Sequence, residues 1–277
     1  MKNPRLIIGN VPLDAFSLKE SLDAIEFLVN EGKGGAVFTP NIHHLIWAQK
    51  LKELKQVYKR ASLCLVDDSP LYWITAFMGK KFPEKVSGSD LILPLMERSE
   101  KKGWGVFLLG GKPGVGQKAA NKMSFLFPRL RILGIESPSI NLNPRDPSNW
   151  KPLADIQKTK PDILLVALGC PKQELWIDRN RKALGSIVSL GIGASLDFIS
   201  GRIKRAPRIL SRVGLEGAYR LYQEPRRLWH RYLIESFQFL PILFQTAIRP
   251  KNKRLKEGFI PYPPLRDLSD PFSTSNP

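Results

Sequence analysis

Cysteine is nearly absent. Cys64 and Cys170 are the only two in 277 residues, one inside an apolar run and one beside Pro171, which excludes a disulfide scaffold and fits a reducing, cytoplasmic setting. Histidine is as scarce: of three, His43 and His44 are adjacent and point to different faces, with no third ligand at zinc spacing, so no metal site is expected. No window approaches the roughly 18 to 20 consecutive apolar residues of a membrane span, and the apolar stretch in "MKNPRLIIGNVPLD" is too short for a signal-peptide core. The chain is therefore expected to be neither exported nor membrane-spanning. Acids are short as well. Against 43 Lys and Arg stand 25 Asp and Glu, a formal charge of +18 that calls for an anionic partner or surface. Nucleic acid, acidic lipid and a phosphorylated substrate all satisfy that sign.

What is present is a real core, with 43% apolar residues arranged as short runs alternating with segments of helical period. Residues 34–40, 62–67, 104–111, 130–136, 161–169 and 186–194 read as buried strands, and helices are predicted over 17–31, 41–60, 70–79, 89–102, 115–127, 150–158 and 171–184. Continuous Val, Ile and Leu runs, each followed by a helix, predict an α/β fold: a Rossmann-like, mostly parallel sheet with helices on both faces. Ligands in such sheets bind beyond the carboxyl ends of the strands. The composition changes near Gly201. From there to Lys256, fourteen Lys or Arg stand against Glu216, Glu224 and Glu235, with arginines interleaved among Leu, Trp, Tyr and Phe. The expected organisation is a catalytic domain over 1–200, a basic helical membrane-associating appendage over 201–256, and a disordered Pro- and Ser-rich tail over 257–277.

Candidate chemistry lies at the strand ends. In "VDDSPLYW", Ser69 and Pro70 read as the cap and first turn of a helix, which leaves Asp67 without a structural task. Four apolar residues before Asp67 would desolvate it and raise its pKa toward a useful base, while Asp68 serves as an auxiliary cap. Thr39 and Asn41 in "FTPNIHHL" are either helix caps or substrate donors. "LLGGKPGVGQKAA" is a glycine-rich turn that fits neither the dinucleotide fingerprint nor the P-loop, although Glu136 about 20 residues on keeps a nicotinamide-dependent oxidoreductase in view. After "DILLVALG", Lys172 and Gln173 are candidate donors to an anionic ligand.

The segments "TPN", "VDDSPLYW", "EKVSGSDL", "LLGGKPG", "PDILLVALGCPKQELWI", "GIGASLDFISGRIKRAP" and "GLEGAYRLYQEPRR", in this order, resemble the WecG/TagA/CpsF family of bacterial glycosyltransferases (glycosyltransferase family 26), over about Leu6 to Tyr232. The resemblance implies an inverting, metal-independent enzyme without a cofactor. It would move an N-acetylmannosamine-type sugar from a UDP donor to a polyprenyl-diphosphate-linked acceptor in teichoic acid or surface-polysaccharide synthesis. It implies Asp67 as catalytic base, Thr39 and Asn41 beside it, and Gln173 toward the substrate. Lys85 stands where the family usually carries arginine, and Asp68 where it carries glycine. Arg220, Arg227 and Arg231, with Arg205 and Arg212, are the appendage arginines that the resemblance brings to the active site. Partners implied are the anionic inner face of the plasma membrane and further copies of the chain, since family members form oligomers. Nucleic-acid binding is the competing class, but no helix-turn-helix, RNA-recognition or zinc pattern accompanies the charge.

Overall fold

The computed structural model describes residues 5–141, 143, 146, 150–204, 206, 216–229, 235–248 and 255–256. Two sheets organise them. An antiparallel hairpin, β1 (Arg5–Ile8) and β2 (Val11–Leu13), pairs Leu6 with Leu13. It is followed by α1 (Leu18–Asn30), β3 (Gly35–Phe38), α2 (Ile42–Lys50), α3 (Lys52–Arg60), β4 (Leu63–Cys64), α4 (Ser69–Phe77) and α5 (Gly88–Lys102). Then come β5 (Gly105–Gly110), α6 (Val115–Leu126), β6 (Arg131–Glu136), α7 (Trp150–Thr159), β7 (Ile163–Ala167), α8 (Lys172–Leu184), β8 (Val188–Gly191) and α9 (Ser195–Ile199). Toward the C-terminus lie α10 (Glu216–Gln223), α11 (Pro225–Trp229), a 3-10 turn (Glu235–Gln238), α12 (Phe239–Ala247) and β9 (Leu255–Lys256). No helix among the described residues is long and apolar enough to cross a membrane.

The main sheet has six parallel strands in the order β4-β3-β8-β7-β5-β6, the Rossmann-like α/β arrangement that the alternating runs predict. Strand side chains alternate between two cores. Phe107, Leu109, Leu164 and Val166 face one, closed by α2, α3, α8 and α12; Val106, Leu108, Ile163 and Leu165 face the other, closed by α1, α5, α6 and α9. Strands buried on both sides need apolar residues at every position, hence their unbroken runs. β6 differs from its expected burial: it is an edge strand, exposed or half-buried throughout. The single helix expected over 41–60 is two helices, because Leu51 is extended (φ −109°, ψ 105°); the bend lets Leu45 and Ile46 of α2 and Leu54 and Val57 of α3 reach one core.

The hairpin was absent from the expected elements, and it is fastened to β4. Arg5 forms a bidentate pair with Asp14 at 2.8 and 2.7 Å, both side chains being about 5% exposed, and donates onward to the carbonyls of Ala61 and Ser62. Asp14 also accepts from the Cys64 amide at 2.7 Å. Every lone pair and donor of a buried charge pair must find a partner, and here β4 supplies them. The C-terminal stretch joins the same region. Phe239 and Ile242 of α12 enter the core, the Gly9 amide donates to Thr246 Oγ1 at 2.9 Å, and β9 pairs with β1. Residues 257–277, expected as a disordered tail, lie outside the described residues.

A second buried polar cluster sits under the carboxyl ends of β3 and β7. Glu174, fully buried, accepts from Gln173 Nε2 at 2.8 Å and lies 3.6 Å from His44 Nδ1, which meets the Tyr58 hydroxyl at 2.9 Å. Burial pushes the Glu174 carboxyl up to about 7, against hydrogen bonds from Gln173 and Cys170 that favour the charged form.

Two outcomes follow. Asp14→Ala, which strands a buried guanidinium, is expected to lower the unfolding free energy by about 3 to 5 kcal/mol in urea titration. Glu174 is protonated in the fold and ionised in the unfolded chain between its ordinary value of 4.5 and about 7. Its contribution is thus full below 4.5 and is lost as pH rises to about 7, at up to roughly 1.4 kcal/mol per pH unit. Glu174→Gln should remove that fall, read as urea midpoints at pH 5 and pH 8.

Candidate active site

A cavity of about 780 Å³ opens at the carboxyl edge of the main sheet, a volume suited to a small-molecule ligand. Residues following all six strands line it: Thr39 and Asn41 after β3, Asp67 and Asp68 after β4, Gly111 and Lys112 after β5, Ser139 after β6, Gly169 after β7 and Gly193 after β8. Gly217, Ala218 and Leu221 of α10 form part of its wall.

The acidic pair is built by strand pairing. β3 and β4 are neighbours, with Phe38 opposite Cys64. The pairing continues past both strands, as Leu65 N donates to Phe38 O at 2.8 Å and Asp67 N to Pro40 O at 3.1 Å. Asn41 and Asp67 are therefore brought side by side. Asn41 caps α2, its Oδ1 accepting from His44 N at 3.3 Å, and this turns its Nδ2 toward Asp67 Oδ2 at 3.2 Å. From the other side the Gly88 amide, at the N-terminus of α5, donates to Asp67 Oδ1 at 3.3 Å. A helix N-terminus and an amide NH2 are suitable neighbours for a carboxylate that must stay aimed into the cavity.

Asp68 takes the capping task expected of Ser69. Its Oδ1 accepts from Leu71 N at 3.0 Å as the cap of α4, and its Oδ2 accepts from Ile42 N at 3.2 Å at the start of α2. Ser69 is the first helical residue instead. A carboxylate has two oxygens and reaches two helix N-termini where a hydroxyl would satisfy one. Asp68 is thus the cap itself rather than an auxiliary one, and Asp67, expected to have no structural task, accepts from both Asn41 and the Gly88 amide.

The other candidates are distributed unevenly. Thr39 lines the cavity and is buried. Gln173 lines it too, but the residue is buried: Nε2 donates to Glu174, and Oε1 accepts from Gly193 N at 3.0 Å. It braces the loop after β8 against α8. Lys172 lines the cavity and donates to Ile140 O at 3.2 Å. Lys85 is not among the lining residues; it pairs with Asp90 at 3.1 Å. Arg220 and Arg227 lie on α10 and α11, with side chains outside the described set, and Arg205, Arg212 and Arg231 lie outside the described residues altogether.

The sequence reading missed Arg202, Asp197 and Lys112. Arg202 donates to Asp197 at 2.6 Å, and both line the cavity. Their signal was the "SLDFISGR" turn, read only as family resemblance. The glycine-rich turn is packed tightly, since a Cβ on Gly110 would stand 2.6 Å from Ala167 O; Gly111 and Lys112 then face the cavity, whereas Glu136 does not line it. Among the described residues His44, Cys170 and Glu174 bring possible metal-ligand atoms within 4.8 Å of one another. The ring nitrogen of His44 nearest Glu174 meets the Tyr58 hydroxyl, and Glu174 Oε1 accepts from Gln173 Nε2, so these atoms are already joined in a hydrogen-bond network.

Curated relatives that align with this chain include two of the same name. A Bacillus subtilis (strain 168) protein named N-acetylglucosaminyldiphosphoundecaprenol N-acetyl-beta-D-mannosaminyltransferase is 28% identical over 257 residues, covering 92% of this chain and 95% of its own length. One of the same name from Bacillus spizizenii (strain ATCC 23059 / NRRL B-14472 / W23) is 29% identical over 206 residues, covering 74% and 77%. The family model described as glycosyl transferase WecG/TagA/CpsF family matches residues 6–253, so this chain belongs to that family of glycosyltransferases.

Proposed function

We propose that the chain transfers an N-acetylmannosamine-type sugar from a UDP donor to a sugar carried on polyprenyl diphosphate, with inversion and without a metal ion, in the synthesis of a cell-wall or surface polymer. The observation that carries this reading is the Asp67 carboxylate, held from two sides by N–H donors at the wall of the cavity. Both relatives bear the name of a transferase acting on an undecaprenyl-diphosphate acceptor, which supports the acceptor class.

Asp67 removes the proton from the acceptor hydroxyl as that oxygen attacks the anomeric carbon opposite the departing nucleotide. One base serves a single displacement. The diphosphate gathers charge as it leaves, and fixed cations meet it more effectively in a cavity than in water. Lys112, Lys172 and Arg202 line that cavity, and α10, which carries Arg220, forms part of its wall. Lys85, engaged with Asp90, and Gln173, engaged with Glu174, act by positioning the segments on either side of the base.

The lipid acceptor brings the enzyme to an anionic bilayer surface. Basic residues near such a surface contribute about 1 kcal/mol each. Phe237, Leu240, Phe244 and Ile248 recur at helical spacing along α12 and its flanks and are each at least 59% exposed, an apolar edge fit to enter the headgroup boundary while Phe239 and Ile242 hold the core.

Asp67→Asn, which keeps the shape and one of the two accepting oxygens, should lower product formation by about 10²- to 10⁴-fold while a cooperative urea transition is retained; near wild-type turnover would remove Asp67 from the mechanism. Phe244→Glu with Ile248→Glu should weaken binding to phosphatidylglycerol vesicles at least about tenfold in a flotation assay, since charged residues are costly at the membrane boundary.

A further inference from the structure

Helix α4 is out of keeping with its surroundings. Its sequence, "SPLYWITAF", is apolar almost all round, as expected of a helix buried on every side. Only Leu71 and Thr75 are buried, however, while Trp73 is 51% and Phe77 89% exposed. The polar residue is inside and the aromatics are outside. Thr75 is accommodated because its hydroxyl donates to Tyr72 O at 2.7 Å, and Tyr72, Ile74 and Met78 anchor the helix on the core. Trp73 and Phe77 have no part in that packing.

The helix starts at the site. Asp68, next to the proposed base, is its cap, and Ser69 and Pro70 line the cavity. Positions 70, 73 and 77 share one face, so an apolar stripe leaves the cavity rim and runs about 10 Å along the axis at 1.5 Å per residue. Lys80 and Lys81 follow the helix in sequence; Lys80 lies over the Phe82 ring, and Lys81 is exposed, with a charge that suits the phosphates of a bilayer headgroup layer. Tryptophan at such a boundary is a common interfacial anchor.

We infer that the Pro70–Trp73–Phe77 stripe of α4 is the track on which the first isoprene units of the acceptor lie as they pass from the cavity rim to the bilayer. This rests on the proposed polyprenyl-diphosphate acceptor. The diphosphate and its sugar then sit in the polar cavity while the hydrocarbon is covered outside it, so the stripe selects for lipid length without touching the reacting atoms.

The test compares one sugar diphosphate carried either on a long polyprenyl chain in mixed micelles or on a short, water-soluble alkyl chain. Wild-type protein should show the lower KM for the long chain. Trp73→Ser with Phe77→Ser should raise that KM about tenfold or more, leaving kcat and the short-chain KM within about twofold, and Trp73→Phe with Phe77→Leu should restore it. An equal rise for both acceptors, or no change for either, overturns the track. So does lost binding to acceptor-free vesicles with unchanged KM in micelles, which would make the stripe a headgroup contact. A dimer that becomes monomeric in sedimentation with KM unchanged assigns it to a second copy and equally overturns the track. If wild-type protein transfers to neither acceptor, the transferase reading itself has failed, and the track with it.

Discussion

Parallel strands all finish at the same edge of their sheet, and that constraint produces the site. Each of the six strands stops where a loop must turn back toward a helix, so six loops converge on one cavity. Backbone amides at helix starts need acceptors there, and short polar side chains supply them. Asn41 and Asp68 meet that need for α2 and α4. Asp67 differs in accepting from the N-terminal amide of α5, across the chain rather than along it, while still facing the cavity. A residue that helps hold three segments together and remains partly open is suited to chemistry that tolerates little displacement.

β4 is the edge strand that carries the acids, and an edge two residues long is a weak platform. The N-terminal hairpin compensates. Asp14 takes the Cys64 amide, Arg5 takes the carbonyls of Ala61 and Ser62, and their mutual pairing keeps either charge from being buried alone. α12 closes over the hairpin through Thr246 and Ile242. The region expected to be a membrane appendage thus has an inner face belonging to the core and an outer face of exposed aromatics.

The strands and helices around the site were legible because a doubly covered parallel sheet demands unbroken apolar runs, and their ends marked Thr39, Asn41, Asp67 and Lys172. The hairpin was missed because "RLIIGNVPL" was weighed only as an export signal, and nothing local announces that Arg5 will be buried against an acid nine residues away. Asp68 was expected only as an auxiliary cap because serine before proline is the commoner start; preferring the acid requires knowing that a second helix, α2, starts within reach of its other oxygen. Lys85, expected as a substrate-binding residue in place of the family's arginine, pairs with Asp90 in the first turn of α5. Lys112 carries no local signature, and Arg202 stood only within a segment quoted for the family resemblance. Only the convergence of loops after different strands brings them to one wall.

Asp67 stands at one side of a cavity whose described cations come from other loops, and the proposed chemistry depends on that separation of base and leaving group. The most direct measurement is the anomeric configuration of the transferred sugar, read by proton NMR of the product against that of the nucleotide donor. A single displacement assisted by one base predicts opposite configurations in donor and product. The same configuration in both would contradict it, because retention requires either two displacements or attack from the face of the leaving group, and neither is a single displacement on the opposite face.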